Sequence, residues 1–363
     1  MEEKSQVFKI DQLLDGASGF GTAVSRETEE LSEIVKDVNI ALNERIEAYE
    51  DIINIEIGDT TLSRARNIER ETGLRQIFLK FEGGNPSGTQ KDRIAFAQCQ
   101  DALRRGFDTI TVATCGNYGA SIALAARLAG LNCIISIPEN YHTQRIKEME
   151  ITGSRILRVP GTYEDTVHYS KSMAESNEYY DANPGGANTA LQIHAYSEIA
   201  NEIYDTLRDA PKVVAVPVSN GTLLAGIYRG FVSLFKRGKT SRIPKIIAGS
   251  SFKKNPVIWS FKKGFDTCRD LTPEAIRENK VNEPLINWHS FDGNEALYAI
   301  RNTEGTAMDV SDQKLMFYSR ILREKEGLNV LPASTAGLVA LLEWNRKHLL
   351  EGDRYVAILT GRK

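Results

Sequence analysis

The chain is 363 residues long, 41% hydrophobic and 26% charged, with a formal net charge of -3. That length allows two domains around substantial cores, and the near-neutral balance gives no electrostatic reason to expect nucleic acid or an anionic membrane as partner. No run approaches the roughly 18 apolar residues of a membrane span, the opening MEEKSQVFKID has no apolar secretory core, and Cys99, Cys115, Cys133 and Cys268 are scattered without a CxxC pair, which points to reduced thiols in the cytoplasm and away from a zinc ribbon.

Residues 1–50 read as a polar, helical N-terminal extension. In the run Glu27 to Tyr49, the residues Leu31, Ile34, Val35, Val38 and Leu42 fall three and four apart and predict one amphipathic helix, packed on the main body or offered to a partner. From about residue 77, β-rich runs alternate with helical patterns. IFLKFEG reads as a strand and Arg93 to Arg105 as a helix; TITVAT, GASIALAARLAG and NCIISIP follow as strand, helix and strand. RILRVP, a helix near Tyr196 to Leu207, VVAVPV, a helix from about Ala225 and KIIAGSS come next. Helices near Lys314 to Lys325 and Ala336 to His348 precede the terminal strand YVAILTG. This alternation predicts an α/β protein with largely parallel sheets, and runs such as VVAVPV suit strands covered on both faces.

In open α/β sheets, ligands sit beyond the carboxyl ends of strands, so four loops stand out. NPSGTQKDR places Lys91 at a helix start, where the positive end of the helix favours a neutral amine; an ordinary exposed lysine looks the same. ATCGNYGAS is a glycine-bearing turn ahead of a helix, either an anion site or a plain βα connection. Within it Cys115 reads as a nucleophile or, with no histidine near it in sequence, as a small packed residue. VPVSNGTLLAG offers Ser219, Asn220, Gly221, Thr222 and Leu223 as a phosphate cradle, although it is neither a P-loop nor a GxGxxG turn. AILTGRK ends a strand at Thr360, whose hydroxyl suits a ring nitrogen or any buried acceptor. The five histidines are far apart and predict no metal site. His142 and Arg145 could line a cleft or a solvated loop. NEPLINWHSFDGNEAL could close over a site or pack on the helix that follows it.

Taken in order, these motifs resemble the fold-type II pyridoxal 5'-phosphate (PLP) enzymes, threonine synthases most closely. NPSGTQKDR is similar to NPTGSFKDR, ATCGNYGAS to an ASTGN-type loop, EGTAMDVSD with EKEGLNVLPASTAGLVAL to GGxAxxVSD and EEGIFxEPASAAxLAGL, and LTGRK to LTGHGLK, across roughly residues 56–363. The resemblance implies two open, twisted, mostly parallel sheets flanked by helices, with the cofactor in the cleft between a large domain (51–92 and 191–363) and a small one (93–190). It implies Lys91 as the Schiff-base lysine and proton shuttle, Asn117 at the ring 3′ oxygen, Ser219 to Leu223 at the 5′-phosphate and Thr360 at the pyridine nitrogen. Thr114, Cys115, Gly116 and Tyr118 would wrap the substrate carboxylate, with Ser87 and Thr89 beside it. It also implies a homodimer acting on a small amino acid.

Three departures bear on the substrate. In DANPGGANTALQ, Gly186 stands where threonine synthases commonly carry an arginine for the substrate phosphate. Leu331 replaces the glutamate of EPAS, and Gln90 precedes the lysine in place of Phe. The expected activity is a PLP-dependent lyase converting phosphohomoserine to threonine and phosphate. The alternatives are β-replacement of cysteate- or cysteine-synthase type, a serine/threonine ammonia-lyase, and a binding protein that retains the fold without turnover.

Overall fold

The computed structural model describes residues 24–114, 116–141, 145–351 and 353–363. Residues 1–23, Cys115 and His142, about which the sequence raised expectations, lie outside the described residues. In chain order the elements begin with α1 (Arg26–Lys36), α2 (Leu42–Glu56), β1 (Leu62–Arg64), α3 (Arg66–Thr72), β2 (Ile77–Phe81), α4 (Lys91–Arg104), β3 (Thr109–Ala113), α5 (Asn117–Ala129), β4 (Asn132–Pro138), α6 (Ile146–Ile151), β5 (Arg155–Val159), α7 (Tyr163–Asn177) and β6 (Tyr180–Asp181). They continue with α8 (Thr189–Leu207), β7 (Val213–Pro217), α9 (Thr222–Lys236), β8 (Lys245–Ser251), α10 (Pro256–Lys263), α11 (Gly293–Asn302), β9 (Thr306–Val310), α12 (Asp312–Ile321), α13 (Ala336–His348) and β10 (Tyr355–Leu359).

The strands form two sheets, one of six strands in the order β1-β2-β10-β7-β8-β9 and one of four in the order β5-β4-β3-β6. Among the named strands only β1 runs antiparallel, pairing Leu62 with Lys80; their other pairings are parallel, and two isolated antiparallel bridges, Thr89 to Gly361 and Val330 to Arg362, tie the C-terminal segment down. The fold is therefore the expected α/β type with two mostly parallel sheets. Tyr355 to Leu359 pair with Ile77 to Phe81, and Tyr355 also faces Val213. That common register brings the carboxyl ends of β2, β10 and β7 to one edge of the large sheet, where ligands of such sheets bind. VVAVP and YVAIL are buried at every position, as strands with helices on both faces must be.

The N-terminal run departs from its periodicity. One continuous helix was expected, yet α1 ends at Lys36 and α2 starts at Leu42. Asp37 breaks it: its Oδ1 accepts from the Asn39 backbone N–H at 2.9 Å and from the Asn39 side chain at 2.8 Å, a local turn that competes with the helix. Val35 is buried, but Val38 is 80% exposed and Leu42 45%, so they do not share one buried stripe. Helix α1 still packs on α5 through Ser32, whose hydroxyl donates to Leu128 O at 3.0 Å, and α2 through Tyr49, whose hydroxyl donates to Ala125 O at 3.0 Å. Other limits move: α4 starts at Lys91 itself, α8 at Thr189 and α9 at Thr222, while α12 widens into a π-helical turn over Leu322–Glu326.

Candidate active site

Lys91 is the first residue of α4 and follows a loop held from the far end of the chain. Arg362 straps that loop: its backbone N–H donates to Gly88 O at 2.9 Å, and its guanidinium donates to Gly83 O at 3.2 Å and Pro86 O at 3.0 Å. Gly88 makes room, because its φ is +85° and a Cβ there would stand 2.7 Å from Arg362 Nε. Gln90 N–H donates to Thr360 O at 3.0 Å, and Lys91 N–H to Thr89 Oγ1 at 3.0 Å. The lysine amine lies 5.3 Å from the centre of the Tyr118 ring. Burial lowers its pKa to about 8, with the Asp292 carboxylate opposing. Burial is thus the main cause, where the sequence had suggested the helix start.

Just beyond it on α4, Arg93 anchors the helix in a buried charge network. It donates to Glu82 Oε2 at 2.6 Å and to Glu202 Oε1 at 2.7 Å, and Lys80 reaches Glu202 as well. Burial would raise Glu202, but Arg93 and Lys80 prevail and hold it at about 2.

The second component is the turn into α9. Gly221 has φ +104°, and a Cβ on it would stand 2.6 Å from Asp292 O, so only glycine turns the chain here without strain. The turn is clamped by segments further along the chain. Asp292 N–H donates to Asn220 O at 3.0 Å, Asn287 Nδ2 to Asn220 Oδ1 at 3.2 Å, Ser290 Oγ to Ser219 O at 3.2 Å, and Asn255 Nδ2 also to Ser219 O at 3.1 Å. The Thr222 hydroxyl donates to Asp292, whose pKa burial raises. The backbone N–H groups at the start of this helix have no intrahelical partners and carry the positive end of its dipole.

Thr360 follows β10, with its hydroxyl 3.1 Å from that of Ser334, and Ser334 Oγ accepts from Gly361 N–H at 3.0 Å. On the small sheet, Thr114 follows β3 and its Oγ1 accepts from Gly116 N–H at 3.3 Å. Asn183 holds that strand end, its Oδ1 accepting from Ala113 N–H at 2.7 Å. Asn117 starts α5, and its Oδ1 accepts from Arg145 Nη1 at 2.9 Å.

These parts face one cleft of about 1950 Å³. Lys91, Thr114, Gly116, Asn117, Tyr118, Ser219 to Leu223 and Thr360 all line it, together with Arg145. Ser87 and Thr89, expected at the substrate carboxylate, do not line it. Ser87 is buried with its hydroxyl 2.7 Å from that of Ser121, and the Thr89 hydroxyl accepts from Lys91 N–H. Tyr118 presents its ring, while its hydroxyl is turned inward, donating to Ala182 O at 2.9 Å and accepting from Gln98. Sequence reasoning named NEPLINWHSFDGNEAL as a lid or packing segment; Glu283, Leu285, Asn287 and Trp288 from it line the cleft, and its polar side chains also clamp the α9 turn. Glu283 was missed as an individual residue. Its Oε1 is 3.9 Å from where a Gly116 Cβ would stand, and burial pushes its pKa up to about 7 although Tyr141 hydrogen-bonds to it. Among the described residues no group of His, Cys, Asp or Glu is arranged to hold a metal ion.

Comparison with known proteins agrees with this geometry. Residues 53–361 match the family profile described as "Pyridoxal-phosphate dependent enzyme". A curated threonine synthase from Methanocaldococcus jannaschii is 28% identical over 319 residues, covering 85% of this chain and 76% of the relative. Among solved structures, maize serine racemase superimposes with a TM-score of 0.71 at 19% identity, covering 88% of this chain and 93% of that one. The serine racemase of Dictyostelium discoideum gives the same TM-score at 16% identity, covering 90% and 99%. With a profile match over most of its length and a partly buried lysine at the shared strand ends, the chain belongs to the pyridoxal-phosphate dependent enzymes of fold type II, and its cofactor is PLP.

Proposed function

We propose that this enzyme binds PLP covalently through Lys91 and is a lyase of threonine-synthase type, eliminating a β or γ substituent from an amino acid and adding a nucleophile in its place. The observation that carries the reading is a lysine amine, its pKa lowered by burial to about 8, that lines the same cleft as the Ser219–Leu223 turn and Thr360. The residues fit the cofactor. The free N–H groups that start α9 suit its phosphate, the Asn117 side chain suits the ring oxygen, and the Thr360 hydroxyl offers the ring nitrogen a neutral partner. When bound, PLP supplies an electron sink for the charge left on the substrate α carbon. Lys91, neutral in an appreciable fraction near pH 8, takes and returns the α proton. The backbone N–H groups of Asn117 and Tyr118, at the start of α5, suit the substrate carboxylate, and closure of the small-sheet side would exclude water.

The name of the Methanocaldococcus jannaschii relative supports phosphohomoserine as substrate, with threonine and phosphate as products. A second reading, β-replacement of cysteate- or cysteine-synthase type or deamination of serine or threonine, is favoured by Gly186. A Cβ there would stand 2.6 Å from Asp181 Oδ2, so an acid occupies the space an arginine would need. Spectral titration of the holoenzyme with phosphohomoserine, O-phosphoserine and serine, with phosphate and ammonia assayed, tests both. A response to phosphohomoserine with phosphate release supports the first; a response to serine or its phosphate ester alone rejects it for the second. No response to any amino acid rejects both. We also infer a homodimer located in the cytoplasm, which sedimentation of the purified protein and cell fractionation test.

A further inference from the structure

The sequence offered Arg145 as a residue of a cleft or of a solvated loop; it lines the cleft, and its contacts give it a specific task there. An arginine has only donors, so the Asn117 atom 2.9 Å from Arg145 Nη1 is the amide oxygen. The amide nitrogen then points along the other branch of a planar group. Asn117 lines the cleft, and no hydrogen bond from its Nδ2 to a described residue is present. Arg145 Nη2 also donates to Ser87 O at 2.9 Å, joining the Asn117 turn to the lysine loop. Glu148 sets the fork from behind, 2.7 Å from Nη2 and 3.1 Å from Nε, and the arginine side chain is only 11% exposed. Its charge is therefore balanced within the protein.

The geometry points to Arg145 as a positioning residue: it fixes the Asn117 amide with its NH₂ toward the cleft, so that a hydrogen-bond donor, and not an acceptor, meets the ring oxygen of PLP. Because this rests on the cofactor role proposed for Asn117, the test separates the two. An unrestrained amide turns over readily, and a half-turn exchanges donor for acceptor. The arginine removes that freedom. A lysine would not replace it, since a single ammonium lacks the planar fork that serves Asn117, Ser87 and Glu148 together.

The experiment is a PLP titration of the apoprotein, read as affinity, for wild type, R145M, R145K, N117A and the double variant, with thermal unfolding as a check on folding. R145M and N117A each weaken PLP binding about tenfold, as expected for losing one hydrogen bond to a charged group. R145K does not restore affinity, and the double variant binds no more weakly than N117A, because the two residues act as one unit. Additive losses in the double variant, or wild-type affinity in R145M, would overturn the proposal. Wild-type affinity in N117A would remove Asn117 from the cofactor site and the proposal with it; covalent PLP at Lys91 would then show that the wider reading stands. Should R145M fail to fold, N117D asks the same question with the arginine intact. Its carboxylate keeps the contact to Arg145 but has no NH₂, so affinity must fall as in N117A, and unchanged affinity would sink the proposal.

Discussion

The two walls of the cleft are built differently. On the large-sheet wall, the α9 turn is held by backbone geometry at Gly221 and by four hydrogen bonds from Asn255, Asn287, Ser290 and Asp292, while Thr360 rests on Ser334. All of these belong to the same half of the molecule. On the small-sheet wall, the Asn117 turn is steadied by Arg145, which reaches across to the lysine loop at Ser87. One wall is complete within its own sheet, whereas the other depends on a strap between the halves. Under the proposed roles, this difference suits an enzyme that holds the cofactor phosphate and ring nitrogen on a fixed surface and brings Asn117 and the substrate-binding turn to them.

That contrast can be broken from either side. The largest effect is expected for Lys91→Ala, which removes the amine serving both walls; turnover falls by at least about 10⁴-fold in a product assay, beyond what loss of general base catalysis alone would cost. Next comes Arg93→Met beneath the lysine. It leaves buried Glu82 without its cation and Glu202 with Lys80 alone, and destabilises by about 3–5 kcal/mol, measured by denaturant unfolding. Gly221→Ala strikes the fixed wall alone. With φ at +104° and Asp292 O 2.6 Å from the new methyl, the turn must shift, and PLP affinity falls about 100-fold in a titration, corresponding to roughly 1–3 kcal/mol of backbone strain.

A smaller effect separates the amine's protonation from its position. Association of PLP with the apoprotein needs the neutral lysine, so its rate rises about tenfold per pH unit below 8 and levels off above, as the depressed pKa of about 8 requires. Stopped-flow measurement from about pH 6 to about pH 9 brackets that value; a rise continuing toward the ordinary lysine pKa would show that burial does not act as described. The smallest effect is expected for Gly186→Arg. Beside the Asp181 carboxylate the new cation is neutralised, so affinity for phosphohomoserine changes by no more than about threefold in a spectral titration.

The fold was largely legible because its signals are local. Apolar runs such as VVAVP and YVAIL mark buried strands, and the ends of those strands located Lys91, the Ser219–Leu223 turn and Thr360. What sequence concealed came from partners far along the chain. Nothing near Gly221 announces that residues 287–292 clamp it, and nothing near Ser87 shows that its hydroxyl is taken by Ser121. The inward turn of the Tyr118 hydroxyl depends on Ala182 and Gln98 in the same way. Strand β9 was read only as a motif because it pairs at one edge with β8 and carries Asp309, which accepts from Lys253 N–H at 3.0 Å. The break at Asp37 was hidden by a periodicity that runs through it, although an Asp followed two residues later by Asn is itself a turn signal.

The central claim is that Lys91 is the residue joined to the cofactor. Borohydride reduction of the purified holoenzyme, followed by protease digestion and mass spectrometry, tests it most directly. The account predicts one pyridoxyl-lysine, on the peptide containing Lys91. Reduction that labels a different lysine, or none in protein saturated with PLP, would contradict it.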